Sequence, residues 1–260
     1  MQGNFGLADQ VFKAFKIIEQ GAAWLQGKGY GSATIAREVG AVTSCMPAAP
    51  KLAIDVGGNV GKYSEKLRSR FPDLEIHIFE PASVNVARLK QLFNGDGKVF
   101  INDRALSNTE ARATLYSDEP GGGIGSLANR RLEHFGIKMD CVEQIQTMRF
   151  EEYWQQSLQG RAIDLAKLDI EGFELSALQG FGGALAATKV VQFEFGGCNL
   201  DTKTTFQDFF YFFAEAGFDL LRISPLGLNK ITRYREIEEF YSTTNFVAVN
   251  RNRQWAASSD

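Results

Sequence analysis

A glycine-rich turn lies in the segment Ile54-Asp55-Val56-Gly57-Gly58-Asn59-Val60-Gly61. An apolar strand precedes the turn and a helical pattern follows it, so its backbone amides lie where open α/β sheets bind ligands. Gly57 and Gly61 carry no side chain, which lets a cofactor lie against the main chain. Asp55 offers an acceptor for an ammonium or hydroxyl group. The turn predicts a cofactor site with Asp55, Gly57, Asn59 and Gly61, although nucleotide oxidoreductases and plain tight turns share this pattern.

A second acidic position ends the next predicted strand. Glu80 follows Glu75–Phe79, where dinucleotide-binding folds place an acid for the ribose hydroxyls, roughly 20 residues beyond the glycines. Pro81 then stiffens the turn below the ribose. After the third strand, Asp103 is the candidate acceptor for an adenine amino group. A solvated glutamate is the structural alternative for Glu80, but its spacing from the glycines favours cofactor binding.

Charged residues crowd the end of another apolar strand, in Lys167-Leu168-Asp169-Ile170-Glu171-Gly172-Phe173-Glu174. Strand alternation sends Lys167 and Asp169 to one face, while Glu171 lies at the turn. Charges at a buried strand end are costly unless they are paired or used, so an ion pair between Lys167 and Asp169 is the structural alternative. Glu194, in a strand that runs into Gly196-Gly197, should face the same cleft. The functional interpretation is favoured because perturbed carboxylates concentrate where ligands bind.

The elements that must position these residues alternate between short apolar runs and helical patterns, which predicts a parallel sheet with crossover helices. Helices are predicted over Lys62–Arg70, Val84–Phe93, Glu174–Leu178 and Thr205–Ala216. Seven strands are predicted, at Leu52–Val56, Glu75–Phe79, Lys98–Ile101, Leu165–Ile170, Val190–Phe195, Phe218–Ile223 and Phe246–Val249.

The chain divides into three predicted parts. Residues 1–50 form an N-terminal helical cap, in which residues 5–26 give one or two amphipathic helices that serve as a cap or an oligomer contact. Residues 51–250 form the main domain, and residues 251–260 are a polar tail. The stretch 113–150 breaks the alternation and is interpreted as an insertion beside the sheet. Its glycines suit either a lid or an ordinary exposed loop.

Composition limits the possible partners and environments. The 260 residues are 44% hydrophobic, enough for one large α/β domain, and the formal net charge is −3. There is no basic excess for binding long nucleic acids. No segment reaches the roughly 18 apolar residues of a membrane span. The three cysteines are odd in number and widely spaced, so neither a disulfide framework nor a zinc site is predicted, and a cytoplasmic location is expected.

Together these segments resemble the FkbM family of S-adenosylmethionine-dependent methyltransferases from about Leu52 to Asn250. The matching features are Ile54–Gly61, Phe79-Glu80-Pro81, Ala105-Leu106-Ser107, Gly125-Ser126-Leu127 and, as the most specific, Lys167–Glu174. The resemblance implies a seven-stranded, mostly parallel Rossmann-like methyltransferase sheet with helices on both faces. It also implies S-adenosyl-L-methionine as cofactor, with the glycine turn on its methionine portion, Glu80 on the ribose and Asp103 on the adenine side.

The family resemblance implies O-methylation of a hydroxyl on a sugar, glycan or polyketide-type small molecule. Methyl transfer requires an aligned acceptor oxygen and removal of its proton, and Asp169 is the candidate base. Lys167 tunes the pKa of Asp169, and Glu171 or Glu194 binds sugar hydroxyls. In a variant of this hypothesis, Asp169 and Glu194 hold a divalent cation that lowers the pKa of the acceptor.

Two other classes of function remain open from the sequence. A nicotinamide-dependent oxidoreductase would share the glycine turn and the acidic strand end, but Gly57-Gly58-Asn59-Val60-Gly61 lacks a clean GxGxxG. A catalytically inactive methyltransferase fold that only binds ligands is the second. A homodimer is also a possible assembly.

Overall fold

The computed structural model describes residues 5–31 and 35–252. The predicted polar tail lies outside the described residues from position 253 onward. The helices are α1 (Phe5–Leu25), α2 (Ile35–Ser44), α3 (Lys62–Arg70), α4 (Ser83–Leu92), α5 (Phe150–Gln156), α6 (Glu174–Gly180), α7 (Gly183–Ala187), α8 (Cys198–Thr202) and α9 (Phe206–Glu215). The strands are β1 (Leu52–Val56), β2 (Glu75–Phe79), β3 (Val99–Asn102), β4 (Ala105–Leu106), β5 (Ala111–Ser117), β6 (Cys141–Met148), β7 (Ile163–Leu168), β8 (Thr188–Phe195), β9 (Phe218–Ser224), β10 (Gly227–Ile231) and β11 (Thr244–Asn250).

The central sheet has the strand order β10-β9-β11-β8-β7-β1-β2-β3. The neighbours from β3 to β8 pair in parallel, so the carboxyl ends of β1, β2, β7 and β8 meet at one edge. The remaining neighbours pair antiparallel. This is the predicted α/β class with a mostly parallel Rossmann-like sheet, and its register places Asp55 beside Lys167.

The predicted number of seven strands was wrong by one. An eighth strand, β10, pairs antiparallel with β9 at the edge of the sheet. Its five residues are half-buried or exposed, and they show no apolar alternation. An edge strand of this kind buries neither face fully, so the sequence carries little signal for it.

Helices cover both faces of the sheet. One core cluster joins residues of β1, β7 and β8 to large side chains of α5 and α9, such as Phe150 and Phe209, and to Phe181 just after α6. The other cluster joins the opposite face to α2, α3 and α4, through residues such as Val39, Tyr63 and Leu89. The dense phenylalanines of α9 lie in the core, with Phe206, Phe209 and Phe213 fully buried. Apolar burial on both faces is what holds a parallel sheet together.

A second, three-stranded sheet stands beside the main one, in the order β4-β6-β5. Its strands β5 and β6 lie at the two ends of the segment predicted as an insertion at 113–150. Strands β5 and β6 form a long antiparallel pair from Ala111 to Met148. The glycine-rich loop after β5 returns to it through a bridge between Tyr116 and Ser126. The small sheet thereby forms a wall opposite the carboxyl ends of the main strands.

The two N-terminal helices differ in their packing. Helix α2 buries Glu38, Val39, Val42 and Thr43 against the main domain. By contrast, residues 8–22 of α1 are exposed along their whole length. No helix in the described part of the chain is long and apolar enough to cross a membrane.

Candidate functional site

A cleft of about 270 Å³ lies between the carboxyl ends of β1, β2 and β7 and the small sheet. One wall comes from the ends of the main strands, and the other from β5, β6 and the loop between them. Four of the seven predicted cofactor residues line it, namely Gly57, Asn59, Glu80 and Pro81. The predicted catalytic residues Asp169 and Glu171 also line it, together with apolar side chains such as Leu106, Leu115 and Leu127.

The glycine turn links three strand ends. The N–H groups of Gly57 and Gly58 donate to the carbonyl of Phe79 at the end of β2, at 2.9 and 3.3 Å. Gly57 has a φ of 82°, and a Cβ there would lie 2.0 Å from the backbone oxygen of Asp169. Only glycine fits this close approach. The turn therefore fixes the end of β1 against the residues that follow β7.

Gly61 has a different structural role. Its φ is 86°, but a Cβ there would meet the side chains of Leu89, Leu92 and Phe93 at the end of α4. Gly61 thus allows the start of α3 to pack closely on α4, and it does not line the cleft. Its predicted contact with a cofactor stays a prediction without geometric support.

Glu80 is buried at the end of β2, and its carboxylate organises the floor of the cleft. One oxygen accepts the N–H of Asn59 at 2.8 Å and the other accepts the N–H of Ala82 at 2.9 Å. Burial raises the pKa of Glu80 above its ordinary value, and these two hydrogen bonds oppose that change. Each carboxylate oxygen keeps lone-pair capacity for a further donor, such as a ribose hydroxyl.

Asp103 lies outside the cleft. It is exposed, in a shallow neighbouring groove with Arg104 and Arg112. The groove and the cleft share Pro81, Ser83 and Glu143 at their common rim. The predicted adenine contact of Asp103 would therefore require the adenine to extend past this rim.

Asp169 belongs to a group that we call the lysine cluster, together with the buried side chains of Asp55 and Lys167. The Lys167 Nζ atom is 3.2 Å from Asp169 Oδ2 and 3.6 Å from Asp55 Oδ1. The two carboxylates outweigh desolvation and raise the pKa of Lys167. Asp55 also accepts a hydrogen bond from the Ser64 hydroxyl at 2.6 Å. The ion pair considered as the structural alternative is present, and it leaves Asp169 facing the cleft with 40% of its side chain exposed.

The network extends from the lysine cluster into α2, which sequence reasoning missed. Lys167 Nζ lies 5.1 Å from the centre of the Tyr63 ring, in cation–π geometry. The Tyr63 hydroxyl donates to Gln192 Oε1 at 2.6 Å, and Gln192 Nε2 donates to Glu38 Oε2 at 3.0 Å. Burial raises the pKa of Glu38, while the charge of Lys167 lowers it. These residues are far apart in sequence and follow no motif, so only the fold brings them together.

Glu171 lies on the other side of the loop after β7 and has a φ of 54°. Its carboxylate pairs with the guanidinium of Arg130, which also lies 3.6 Å from Asp201 Oδ2 through Nε. Ser126 donates its hydroxyl hydrogen to the backbone oxygen of Glu171 at 2.8 Å. Arg130 and Ser126 both come from the insertion, so the small sheet and the β7 loop are fastened to each other. Neither role was predicted, although Ser126 lies in one of the segments that carried the resemblance.

Glu174, at the start of α6, is fully buried. Its Oε1 atom accepts the N–H of Ile170 at 2.9 Å, and its two oxygens accept the N–H of Gly172 at 3.2 and 3.1 Å. Burial raises the pKa of Glu174 to about 7. The side chain closes the turn that presents Asp169 and Glu171 to the cleft, so its role is structural.

Glu171, Glu194 and Cys198 form a second group, which we call the glutamate cluster. One ligand atom from each lies within 4.8 Å of the others. Burial and the charge of Asp169 raise the pKa of Glu171 to about 7 and that of Glu194 well above its ordinary value. Glu194 has no hydrogen bond or ion pair through its carboxylate in the described part of the chain, and it is not among the residues that line the cleft.

The predicted cation site of Asp169 and Glu194 is not supported. The ammonium group of Lys167 occupies a position 3.2 Å from Asp169, and the Arg130 guanidinium is paired with Glu171. One fixed positive charge at Asp169 and another at the neighbouring Glu171 oppose the binding of a divalent cation here. The same argument applies to the glutamate cluster.

The strand order, the glycine turn and the acid at the end of β2 define a Rossmann-like α/β domain with its cleft at the carboxyl edge of the sheet. The chain matches the methyltransferase FkbM domain over residues 55–220, which is more than half of its length. It belongs to this family of methyltransferases. S-adenosylmethionine is the methyl donor that this membership implies.

The chain is similar to several methyltransferases at low sequence identity. The chain is 22% identical over 158 residues to Methyltransferase 1 of Beauveria bassiana, a match that covers 54% of this chain and 63% of that protein. The chain thus spans less than two thirds of the length of this relative. The solved structure of methyltransferase FkbM from Methylobacillus flagellatus KT gives a TM-score of 0.48 at 14% identity, over 76% of this chain and 43% of that one. The plantazolicin methyltransferase BpumL, solved in complex with SAH, gives 0.46 at 8% identity, over 91% and 90% of the two chains.

Proposed function

We propose that this chain is an S-adenosylmethionine-dependent O-methyltransferase that acts on a hydroxyl of a sugar, glycan or polyketide-type small molecule. The observation that carries the proposal is the position of Asp169. It is the one carboxylate, among the described residues of the lysine cluster, that lines the cleft, and a buried ammonium group holds it from behind. A fixed, partly exposed carboxylate beside a cofactor cleft is suited to positioning and deprotonating an acceptor hydroxyl.

The charge of the cleft supports a cationic donor. Four acidic residues line it, namely Glu80, Glu143, Asp169 and Glu171, and its described lining residues include no lysine or arginine. S-adenosylmethionine carries a sulfonium and an ammonium group, which an acidic cleft attracts. A dinucleotide carries a pyrophosphate, which favours basic side chains or a helix N-terminus. The absence of a side chain at Gly57 and the spare lone pairs of Glu80 also fit the methyl donor.

When bound, the donor supplies an electrophilic methyl group for in-line displacement. Gly57 lets the cofactor approach the backbone, and Glu80 orients the ribose through its hydroxyls. Asp169 accepts the proton of the acceptor hydroxyl as the oxygen attacks, and Lys167 keeps the carboxylate in place. Glu171, which lines the cleft, accepts hydrogen bonds from neighbouring hydroxyls of the acceptor.

Calorimetry with S-adenosylhomocysteine and, separately, NAD tests the cofactor. We expect binding of S-adenosylhomocysteine, with heat lost in the Glu80→Ala variant because the ribose acceptor is gone. Binding of NAD alone would instead support the oxidoreductase hypothesis.

Mass spectrometry of glycans and small metabolites from cells with and without the gene tests the acceptor. We expect one or more species that lose a methyl group when the gene is deleted, at a hydroxyl oxygen. Methylation at nitrogen or carbon would contradict the proposed O-methylation. Tight cofactor binding with no transfer to any member of a broad panel of hydroxylated acceptors would favour the inactive binding protein.

A further inference from the structure

Helix α1 has almost no contact with the rest of the protein. Every residue from 8 to 22 is exposed, and among the described side chains of the helix Ala23 is the first that is buried. The helix is anchored at its carboxyl end, where Trp24 packs edge-on against Tyr30 and the following turn reaches Arg222. About four helical turns therefore project into solvent without tertiary support.

Such a helix needs a partner to be stable. Isolated helices of this length are marginal in water even when they are rich in alanine, because protein helices gain most of their stability from packing. The free part of α1 includes valine, isoleucine and phenylalanine, which form helices less readily. Its one ion pair, between Asp9 and Lys13, is exposed on both sides and adds little.

The apolar residues of α1 follow a heptad repeat. Ala8, Phe15 and Ala22 recur every seven residues, and so do Val11, Ile18 and Leu25, with alternating steps of three and four between the two sets. This spacing places all six on one face and is typical of a coiled-coil seam. The face is exposed, with 65% of Phe15 and 64% of Ile18 accessible to solvent.

The seam is complementary to itself when two copies run antiparallel. Positions of the first set then face positions of the second set across a twofold axis, which makes the contact isologous. Ala8 faces Leu25 of the second copy, Ala22 faces Val11, and Phe15 faces Ile18. Toward each end of the paired helices an alanine meets a larger side chain, either leucine or valine. In the middle of the pair the large residues Phe15 and Ile18 face each other. This alternation of volumes is what close helix packing requires.

The area and charge of the face also fit a second copy. Phe12, exposed by 78%, widens the seam. The exposed parts of Val11, Phe12, Phe15, Ile18 and Leu25 give on the order of 500 Å² per copy, if a large apolar side chain has roughly 150–250 Å². Two copies reach on the order of 1,000 Å², the lower range of specific interfaces. The polar face carries Asp9, Lys13, Lys16 and Glu19, so it is neutral, whereas membrane-surface helices are rich in lysine and arginine.

We propose that α1 is a dimerisation helix that pairs antiparallel with α1 of a second copy of this chain. The pairing buries the heptad face and leaves the cleft outside the contact. It is independent of the proposed methyl transfer.

Analytical ultracentrifugation of the full chain tests the pairing. We expect a species of two chains that dissociates on dilution, and a single chain for the double variant Phe15→Glu, Ile18→Glu. The matched control is Ile17→Glu, which adds a charge to an equally exposed residue on the opposite face and should leave the dimer intact. Unchanged unfolding temperatures of the main domain would show that each variant is folded.

Cysteine cross-linking tests the orientation. The double variant Ala8→Cys, Leu25→Cys should form covalent dimers on mild oxidation, whereas Ala8→Cys alone should not. Cross-linking of Ala8→Cys alone would indicate a parallel pair and overturn the proposed geometry. A wild-type chain that stays single at every concentration and binds vesicles of anionic phospholipid would overturn the proposal in favour of a membrane surface. A single chain without vesicle binding would overturn it as well.

Discussion

The lysine cluster and the glutamate cluster meet in the loop after β7, but their charges are balanced differently. In the first, Lys167 lies within 3.6 Å of both Asp55 and Asp169. In the second, Arg130 pairs with Glu171 and Asp201, while Glu194 has no partner in the described chain. Burial and neighbouring negative charge raise the pKa of both glutamates, Glu171 to about 7.

The difference is whether a cation lies beside the carboxylates. Burial raises the pKa of Asp55, the charge of Lys167 opposes that change, and the same ammonium group holds Asp169 in position. A buried carboxylate without a cation favours its neutral form, which can both donate and accept hydrogen bonds. One side of the β7 loop is therefore suited to proton removal, and the other to binding hydroxyl groups.

The largest expected effect comes from Lys167→Met. The change leaves Asp55 and Asp169 without their cation, and loss of one partner of a buried ion pair costs about 3–5 kcal/mol in the free energy of unfolding. The exposure of Asp169 places the expected loss toward the lower value. Urea unfolding measures it. The control Lys230→Met removes an exposed partner of Asp219 and should cost about 1 kcal/mol or less. Equal losses in the two variants would show that the buried ion pairs of Lys167 stabilise the protein no more than an exposed ion pair does.

Asp169→Asn tests the chemical role of the same cluster. We expect turnover to fall about a hundredfold or more, the usual scale of acid–base catalysis, with little change in the affinity for S-adenosylhomocysteine. Steady-state kinetics and calorimetry separate the two effects. The control Glu143→Gln removes a carboxylate from the β6 wall of the cleft and should change turnover only a few-fold. If Asp169→Asn retains full turnover, its role is structural.

Glu194→Gln tests the glutamate cluster. The folded state holds the Glu194 proton to a higher pH than the unfolded chain, so the free energy of unfolding should fall as pH rises above the ordinary glutamate pKa near 4.5. The variant lacks this titration. Its stability relative to wild type should therefore be greater at pH 8 than at pH 5, as measured by urea unfolding at both values. A difference that does not depend on pH would mean that Glu194 is ionised in the folded state.

Glu38→Gln should have the smallest effect, because Glu38 is joined to the lysine cluster by hydrogen bonds only through Gln192 and Tyr63 and does not touch it directly. Coupled residues in one network typically contribute 0.5–3 kcal/mol, and at the lower end turnover would fall about two- to fivefold. The double variant Glu38→Gln, Tyr63→Phe should lose less than the sum of the two single losses in activation free energy. Additive losses would show that the residues act separately.

Much of the site could be predicted because its residues follow strand ends. Strands Leu52–Val56 and Glu75–Phe79 and helix Lys62–Arg70 have the predicted bounds. Asn59, Glu80 and Asp169 share the cleft because parallel strands end at one edge. Arg130, Ser126 and Glu38 could not be predicted, since they belong to elements whose distance from the cleft depends on how the insertion and α2 pack.

By itself the sequence determined which functional segments follow which strands: a glycine turn after β1, an acid after β2 and a charged segment after β7. Each is marked by a local apolar run and by the glycine, proline or charged residues that end it. The tertiary structure decided the rest, because charge balance depends on distance in space. It placed Lys167 against Asp169, left Glu194 without a cation, and turned Gly61 toward α4. The glycine turn therefore locates the cleft from the sequence, while the packing of the fold decides which carboxylates beside it hold a charge.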